Sequence, residues 1–381
     1  MCDSSQRIDI FPNRKDIEML KFLKERAEDY DTNRFVNELV DASMALGVLN
    51  AKIAGCKYNR VLLPMLHQKE IIATMGIEGI QTTFTEMLEE EVSDRSTPVP
   101  KYIEYKKHWL ALMTGADRLR LEDFSHRLIE DLHGIMLKGS KSANAGSLFG
   151  QYKERKNLIG VKDQKDGKII GRTVIFEPPP PQETRKYMNE LVEYINNHRD
   201  GVNPLIKAAI SHAQFESIHP FEDGNGRLGR ILITLYLYKA ELIQYPYFYM
   251  SEAFLEDRLG YYAALTSSRG ESLNDWISFF LKKVSVQARK HARYMDALDV
   301  LYEKTKSQVK DVINSPKFEA IIECIFRYPC LTSATLAEHI NVSLWQAKRY
   351  LNTLESQKIL VGADMKRHRR YFFAELLDLM R

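Results

Sequence analysis

The chain has 381 residues, of which 44% are hydrophobic and 28% charged, and its formal net charge at pH 7 is +3. This balance is typical of a soluble globular protein, and the net charge is too small to indicate a nucleic-acid-binding protein by itself. The first residues, MCDSSQRIDIF, lack the basic and then apolar pattern of a secretion signal. The most apolar segment, residues 231–238, is too short to span a bilayer.

The four cysteines show no spacing that is typical of a metal or redox site. They stand at positions 2, 56, 324 and 330. We therefore expect free thiols in a reducing compartment. Together with the missing signal and membrane segments, this predicts a soluble cytoplasmic protein with no membrane partner.

The N-terminal third is predicted to be helical, because apolar residues recur there at intervals of three and four. The predicted helices cover 15–55, 66–79, 100–114 and 121–138. Gly79 is expected to end the second of these helices. Thr83 and Glu86 are predicted to form a capping box at the start of a further helix.

Residues 139–181 are rich in glycine, lysine and serine and mark a change of structure. Within them, Lys168–Ile170 and Thr173–Phe176 are predicted to be two short strands that turn at Gly171-Arg172. Four prolines, ending at Pro181, are expected to stop this hairpin and to precede a helix. Helices are then predicted over 183–198, 204–218, 226–241 and 275–312.

The elements become short after residue 315. Helices are predicted over 317–327, 335–340 and 344–354, and extended segments over 359–361 and 371–373. Ser343 is expected to cap the third helix. Three helices followed by a two-stranded wing are the winged form of the helix-turn-helix.

The partner of this C-terminal module stays open at the level of sequence. Lys348 and Arg349 on the third helix, with the basic run Lys366–Arg370 in the wing, fit contacts to a DNA backbone. Trp345 and Tyr350 could equally serve a protein partner or a dimer.

The stretch HPFEDGNGRLGR, residues 219–230, contains the glycine pattern G-x-G-x-x-G. In a dinucleotide-binding fold this pattern follows a buried strand. Here the preceding segment has helical apolar spacing, a proline and no β-branched run. Glu241 lies roughly where the motif places an acidic residue for the ribose, but no second strand precedes it. The setting therefore favours a helix, a tight loop and a second helix.

In that setting the residues fit a nucleotide phosphate. Backbone N–H groups of Gly224, Asn225 and Gly226 at a helix start form an anion-binding nest. Arg227 and Arg230 lie on one face of the first turns, where their charge is unfavourable unless an anion is close. Asp223 could hold a divalent cation, and His219 could accept a proton near neutral pH.

The same stretch resembles the signature of the Fic family, H-x-F-x-(D/E)-G-N-G-R-x-x-R, at every specified position. The resemblance covers roughly residues 30–300. It implies an all-helical fold and transfer of AMP from Mg-ATP to a Ser, Thr or Tyr hydroxyl of a protein. By the same resemblance, His219 takes the proton of the hydroxyl, Phe221 anchors the loop and Asp223 holds Mg²⁺.

The resemblance also assigns the phosphate contacts. Gly224, Asn225 and Gly226 bind the α- and β-phosphates, Arg227 meets the β-phosphate and Arg230 the γ-phosphate. A branch of the family that transfers phosphate carries lysine at the position of Gly226, so glycine here favours AMP transfer.

The stretch Thr74–Gly79 resembles the inhibitory motif of the family, (S/T)-x-x-x-E-(G/N). Glu78 lies in the last turn of a predicted helix, where a negative charge opposes the helix dipole. The resemblance pairs Glu78 with Arg230, which would occupy the γ-phosphate subsite. The family often has Ser-Ser before x-Ile-Glu-Gly, where this chain has Thr74 and Met75, and the next residue, Gly76, is a weak helix former.

These patterns predict a mostly α fold, with a Fic-type helical bundle, a small β-hairpin flap and a C-terminal winged-helix domain. The predicted domains are an N-terminal region with the inhibitory helix (1–115), the catalytic core (116–300), and a linker helix with the winged helix (301–381). The flap would position the target by strand addition.

The predicted function is that of a protein adenylyltransferase restrained by Glu78, with ATP as substrate, Mg²⁺ as cofactor, and a protein target that can be the enzyme itself. A homodimer is compatible with the resemblance. The alternatives are a DNA-binding regulator whose Fic domain senses nucleotide, and a transferase with another donor such as UTP or CDP-choline.

Overall fold

The computed structural model describes residues 20–26, 29–80, 82–91, 99–138, 148–165, 168–270, 272–364 and 369–380. The fold is mostly helical, as the sequence predicts. The helices are α1 (Val36–Gly55), α2 (Asn59–Ile77), α3 (Phe84–Glu91), α4 (Pro100–Leu119), α5 (His126–Leu137), α6 (Pro181–Asn196), α7 (Pro204–Ile218), α8 (Asn225–Lys239), α9 (Ser251–Glu256), α10 (Arg258–Ser267), α11 (Asn274–Val312), α12 (Phe318–Arg327), α13 (Ser333–Ile340), α14 (Leu344–Ser356) and α15 (Ala374–Met380). The strands are β1 (Ile159–Lys165), β2 (Lys168–Phe176), β3 (Cys330–Leu331), β4 (Val361–Asp364) and β5 (Arg369–Phe372).

The chain falls into two compact units. The first comprises Met1–Asp41, Leu110–Leu242 and Glu256–Lys283, and the second comprises Ala42–Trp109, Ile243–Leu255 and Val284–Arg381. The three domains predicted from the motifs, with boundaries at 115 and 300, stay a prediction.

Helix α7 is the centre of the first unit. Every residue from Leu205 to Ile218 is buried, and α7 packs against α6 and α8. A helix that is buried on all sides belongs to the core rather than to the surface. Asn203 caps its start by accepting the N–H of Leu205 at 2.9 Å, and Pro204 follows at the first helical position.

The N-terminal residues of the first unit depart from the predicted helix 15–55. Leu23–Glu25 and Thr32–Arg34 form single 3₁₀ turns, and the α-helix begins only at Val36. The reason is tertiary: Leu23 N–H donates to Glu190 Oε2 at 2.7 Å, and the Tyr187 hydroxyl donates to the Leu20 carbonyl at 2.7 Å. These bonds replace those of a local helix.

The predicted hairpin exists, but its predicted turn is wrong. Strand β2 runs through Gly171 and Arg172, which pair with Asp163 and Lys162 of β1. The partner strand lies upstream of residue 166, and the turn at 166–167 is outside the described residues. The sequence of β1, IGVKDQK, is polar and has no β-branched run, so it does not predict a strand.

In the second unit, two predicted helix ends are confirmed. Helix α2 ends at Ile77, and Gly79 follows the C-cap with a φ of 81°, with hydrogen bonds from Ile80 N–H to Met75 O and from Gly79 N–H to Gly76 O, both 3.0 Å. This is the Schellman pattern, which satisfies carbonyls at a helix end. Thr83 and Glu86 form the predicted capping box through two reciprocal bonds of 3.2 Å.

The C-terminal elements follow in the order α12, β3, α13, α14, β4, β5 and α15, and the antiparallel sheet has the strand order β3-β5-β4. Three helices and a hairpin therefore occur where the sequence predicts them, while β3 and α15 were not predicted. Ser343 caps α14 by accepting the Gln346 N–H at 3.2 Å, as predicted. Residues 365–368 of the basic run lie outside the described residues.

Among the described residues, no helix is long and apolar enough to cross a membrane. The cysteines that the structure describes, Cys56, Cys324 and Cys330, are free thiols, in agreement with their irregular spacing.

Candidate active site

The loop between α7 and α8 presents His219. The residue has φ 48° and ψ 60°, a left-handed conformation that ends α7 ahead of Pro220. Its Nδ1 lies 3.3 Å from the carbonyl oxygen of Glu216. Because a carbonyl can only accept, Nδ1 must carry the proton, and Nε2 then keeps its lone pair as a proton acceptor.

The side chain of Asn225, the first residue of α8, stabilises the loop through two hydrogen bonds to its backbone. Its Oδ1 accepts the Phe221 N–H at 2.9 Å, and its Nδ2 donates to the Phe221 carbonyl at 2.7 Å. Asn225 is buried, so these bonds satisfy the side chain and the loop backbone at once. The sequence resemblance assigns Asn225 to phosphate binding, and the structure gives its side chain this anchoring contact.

Phe221 anchors the loop on its other side. Its ring is fully buried and stacks on the imidazole of His133, with centroids 3.8 Å apart and planes inclined by 8°. His133 Nδ1 accepts the Gly150 N–H at 3.0 Å, so Nε2 carries the proton and donates to the Asp223 carbonyl at 2.9 Å. Burial lowers the pKa of His133 to about 4 and keeps this ring neutral.

Helix α8 starts at the loop with a left-handed glycine. Gly224 has φ 75°, and a Cβ placed there would lie 2.6 Å from Leu137 Cδ1. The first N–H groups of a helix have no acceptor within it, and glycine offers no side chain to cap them. The N–H groups of Asn225, Gly226 and Arg227 therefore open α8, and the anion-binding nest that the sequence predicts at Gly224, Asn225 and Gly226 stays a prediction.

Asp223 lies at the rim of this nest. Its Oδ1 accepts the Gly224 N–H at 2.6 Å and is 3.7 Å from Nη2 of Arg227. The carboxylate remains partly exposed, whereas the Arg227 side chain is 6% exposed. The two charges thus share one edge of the loop.

Arg230 belongs to a different environment from Arg227. It is 3% exposed and hydrogen-bonds the hydroxyl of Tyr261. Its charge contributes, after burial, to lowering the pKa of His212 to about 3. Gly229 lets α8 approach α7 here, because a Cβ would lie 2.3 Å from Glu216 Oε1.

The electrostatic environment of His219 is cationic. Burial lowers its pKa to about 3, with further contributions from the Lys153 ammonium and the Arg269 guanidinium against the Glu216 carbonyl. Burial also lowers the pKa of Lys153 to about 7 and that of Arg269 to about 10. A concentration of partly desolvated positive charge is suited to a polyanionic ligand.

Arg269 links this region to the hairpin. Its guanidinium lies 4.6 Å from the ring centroid of Phe176, the last residue of β2, and its Nε donates to Ser217 Oγ at 3.2 Å. The end of the hairpin is thereby placed near the last turn of α7. Side chains of 160–175 are outside the described residues.

Glu78 belongs to the second unit. It follows Ile77 as the C-cap of α2, and its side chain is exposed. The position at a helix end agrees with the sequence analysis, and its pairing with Arg230 stays a prediction.

Sequence reasoning missed His133, Lys153, Asn157 and Arg269. Lys153 and Asn157 stand in the polar stretch QYKERKN, which has no periodicity and no turn signal. His133 occupies an apolar helix face, where a histidine is easily taken for core. Their roles depend on contacts across about 50 or more residues of sequence, which no local pattern encodes.

Comparison with known proteins gives the context of this site. A profile of the Fic/DOC family matches residues 123–237. A probable protein adenylyltransferase of Aquifex aeolicus (strain VF5) is 28% identical over 181 residues, covering 48% of this chain and 51% of that protein. The protein adenylyltransferase fic-1 of Caenorhabditis elegans is 28% identical over 183 residues, covering 46% and 32%. The chain thus spans about half, or less, of the length of these relatives.

Solved structures support the fold. A Fic family protein from Desulfovibrio desulfuricans G20 superimposes with a TM-score of 0.56 at 19% identity, covering 91% of this chain and 97% of that one. A Fic-domain signaling protein from Bacteroides thetaiotaomicron VPI-5482 gives 0.53 at 22% identity, with 68% and 96% covered. Residues 123–237 thus match the Fic/DOC family over a segment that includes the complete signature at 219–230.

Proposed function

We propose that the protein is an adenylyltransferase that moves AMP from ATP to a hydroxyl group of a protein. The observation that carries the proposal is the position of His219, a neutral imidazole with Nε2 available as acceptor, beside the start of α8. Relatives that bear the name protein adenylyltransferase lend further support at 28% identity.

The chemistry follows from these positions. The hydroxyl oxygen of the target attacks the α-phosphorus of ATP while its proton passes to Nε2 of His219. The bond between the α-phosphorus and the bridging oxygen breaks, and pyrophosphate leaves. Backbone N–H groups at the start of α8 and the Arg227 guanidinium stabilise the phosphate charge. In the free protein burial, with a further contribution from the nearby cations, lowers the pKa of His219 and keeps it neutral, and an anionic ligand would reduce the contribution of the cations.

Asp223 is suited to hold Mg²⁺ in this complex. Among the described residues no three His, Cys, Asp or Glu side chains cluster as a metal site, so this part of the chain offers no closed cage. Mg²⁺ in nucleotide sites takes one or two carboxylates and completes its shell with water and phosphate oxygens, which fits one partly exposed carboxylate beside the nest. When bound there, the ion would neutralise phosphate charge.

The inhibitory role of Glu78 is part of the proposal. The support is its motif, Thr74–Gly79, and its place at the end of α2 with an exposed carboxylate. A carboxylate at the γ-phosphate subsite would compete with ATP for Arg230. Replacing Glu78 by glycine removes that charge and should raise AMP incorporation.

The test measures protein-bound AMP by intact mass after incubation with labelled ATP, with and without Mg²⁺. His219→Ala should lower the rate by about 10²–10⁴-fold, since that is the usual contribution of a general base. A fully active His219→Ala variant would disprove the assignment. An E78G variant no faster than the parent would remove the inhibitory role alone. Parallel reactions with UTP and CDP-choline identify the donor, and mass added to the enzyme itself reports self-modification.

A second activity, binding of duplex DNA through α14, is favoured by a separate observation. One face of α14 lines an open depression of about 520 Å³, formed by Trp345, Lys348, Arg349, Asn352, Thr353 and Ser356. Trp345 is 71% exposed, and the Arg349 guanidinium lies 5.9 Å from its ring centroid. Two cations among hydrogen-bonding side chains complement a phosphate backbone.

Fluorescence anisotropy with a labelled random duplex tests this proposal. Lys348→Ala should weaken binding and reduce the slope of log K against log salt by about one. Binding that is absent at low salt would contradict a DNA partner and leave a protein partner for this face.

A further inference from the structure

One segment of the first unit holds four consecutive carbonyl groups of the catalytic loop. Lys153 Nζ donates to the Ile218 carbonyl at 3.1 Å, and the Lys153 N–H donates to that of Pro220 at 2.8 Å. Asn157 Nδ2 donates to the carbonyls of His219 at 3.1 Å and Phe221 at 2.9 Å. We call Lys153 and Asn157 the carbonyl clamp.

The two members of the carbonyl clamp are joined to each other. Lys153 Nζ also donates to Asn157 Oδ1 at 2.8 Å, which orients the amide so that Nδ2 faces the loop. The carbonyls at 218–221 lie past the end of α7, where a helix supplies no N–H donors. Without the carbonyl clamp, the carbonyls of residues 218, 219 and 220 would have to find water or remain unsatisfied, whereas that of Phe221 would keep the bond from Asn225 Nδ2.

Lys153 is an unusual choice for this place. Its side chain is 3% exposed, and among the described residues it has no carboxylate partner. Burial of an ammonium group without a counter-ion is costly and lowers its pKa, here to about 7. A neutral hydrogen-bond donor would satisfy the same carbonyl at lower cost. The positive charge next to His219 therefore calls for a role beyond stability.

We propose that Lys153 and Asn157 are positioning residues for His219, fixing the backbone that carries the imidazole and surrounding it with positive charge until an anionic substrate binds. This rests on the proposed transfer reaction for its catalytic consequence. The groups that face the imidazole are the Lys153 ammonium, the Arg269 guanidinium and the Glu216 carbonyl. Burial and the two cations favour the neutral base, whereas the Glu216 carbonyl, as a hydrogen-bond acceptor, favours the protonated form.

The carbonyl clamp should affect the rate constant more than nucleotide affinity. It contacts the His219 side of the loop, whereas the phosphate nest is formed by α8. A displacement of about 1 Å at a reacting group can reduce rates about 100-fold. We therefore expect Asn157→Ala and Lys153→Met to lower kcat by about 10- to 100-fold and to change KM for ATP by less than about threefold.

The matched control is Asn203→Ala. Asn203 caps the opposite end of the same helix α7, so its loss destabilises α7 without touching the loop. Lys153→Arg keeps the charge and the donors and should recover most of the rate. Thermal melts verify that each variant folds, and if Lys153→Met does not fold, Lys153→Arg and Asn157→Ala still decide the matter.

A readout that needs no activity separates this inference from the proposed function. Protein labelled with ¹³C at histidine Cε1 is titrated by NMR, and the His219 resonance is assigned with His219→Ala. Lys153→Met should raise the pKa of His219, and Asn203→Ala should leave it unchanged. If the parent transfers no AMP but the titration shifts, the proposed function fails while the carbonyl clamp stands. Unchanged kcat and an unchanged titration in both clamp variants would overturn it.

Discussion

Gly224 offers the sharpest test of how the site is built, because replacement by alanine perturbs it in two separable ways. The residue has φ 75°, and its added Cβ would lie 2.6 Å from Leu137 Cδ1 and 3.2 Å from Met136 Cε. Both neighbours are buried, at 0% and 2% exposure, so neither can move into solvent. Backbone strain and overpacking therefore act together.

The expected cost follows from these two contributions. A Cβ in the left-handed region costs about 1–2 kcal/mol, and overpacking a filled site costs about 1–3 kcal/mol. Alanine also reduces the entropy of the unfolded chain, which returns about 0.4–1 kcal/mol. We expect Gly224→Ala to lower the free energy of unfolding by about 1–4 kcal/mol.

Gly201 is the matched control. It has φ 71° in the same compact unit, and a Cβ there would meet no atom within 4 Å. Gly201→Ala thus carries the strain and the entropy change but no clash. The difference between the two variants should be about 1–3 kcal/mol, the overpacking contribution alone.

Urea unfolding midpoints measure the stability difference, and isothermal titration with ATP measures binding. Gly224→Ala should weaken ATP binding at least about tenfold, since the loss of 1.4 kcal/mol of binding free energy suffices, whereas Gly201→Ala should bind as the parent does. If the two variants unfold at the same midpoint and bind ATP equally, the close approach of α5 to the loop does not shape the nest.

Three further predictions concern neighbouring residues. Asn225→Ala leaves the buried Phe221 N–H without a partner and its carbonyl with Asn157 Nδ2 alone, so it should cost about 1–3 kcal/mol in urea unfolding, whereas an exposed substitution such as Glu154→Ala should cost almost nothing. His133→Phe preserves the stack on Phe221 but loses two hydrogen bonds, so it should melt between the parent and His133→Ala. Burial lowers the pKa of Lys153 from 10.5 to about 7. Between these two pH values the unfolded chain binds more protons than the folded chain, so the free energy of unfolding should rise with pH from 7 to 10.5, by at most about 5 kcal/mol. The slope of the free energy of unfolding against pH should flatten in Lys153→Met.

The helices around the site were predictable because their local signals agree with their burial. Helices α6, α7, α8 and α11 begin and end within two residues of the predicted bounds. Pro204 and the signature loop mark these boundaries directly in the sequence. The core of the first unit is therefore encoded by periodicity and breakers.

Other features could not be predicted, since they depend on distant partners. The turn of the hairpin was misplaced because β1 is polar and its pairing register is set by β2. The 3₁₀ turns near residue 23 replace a helix because Glu190 and Tyr187 supply bonds from α6. For the site, the signature predicts His219 and Asp223, whereas the carbonyl clamp joins residues more than 60 positions apart.

The two hydrogen bonds between the Asn225 side chain and the Phe221 backbone limit changes in the length of this loop. The amide reaches back over three intervening residues to bond both backbone polar groups of one residue, Phe221. These bonds therefore require a fixed number of residues between His219 and the start of α8. Side chains at 222 and 223 can be exchanged without altering it, but one inserted or deleted residue would move the proton acceptor relative to the phosphate cradle. Loop length should therefore tolerate less change than loop composition.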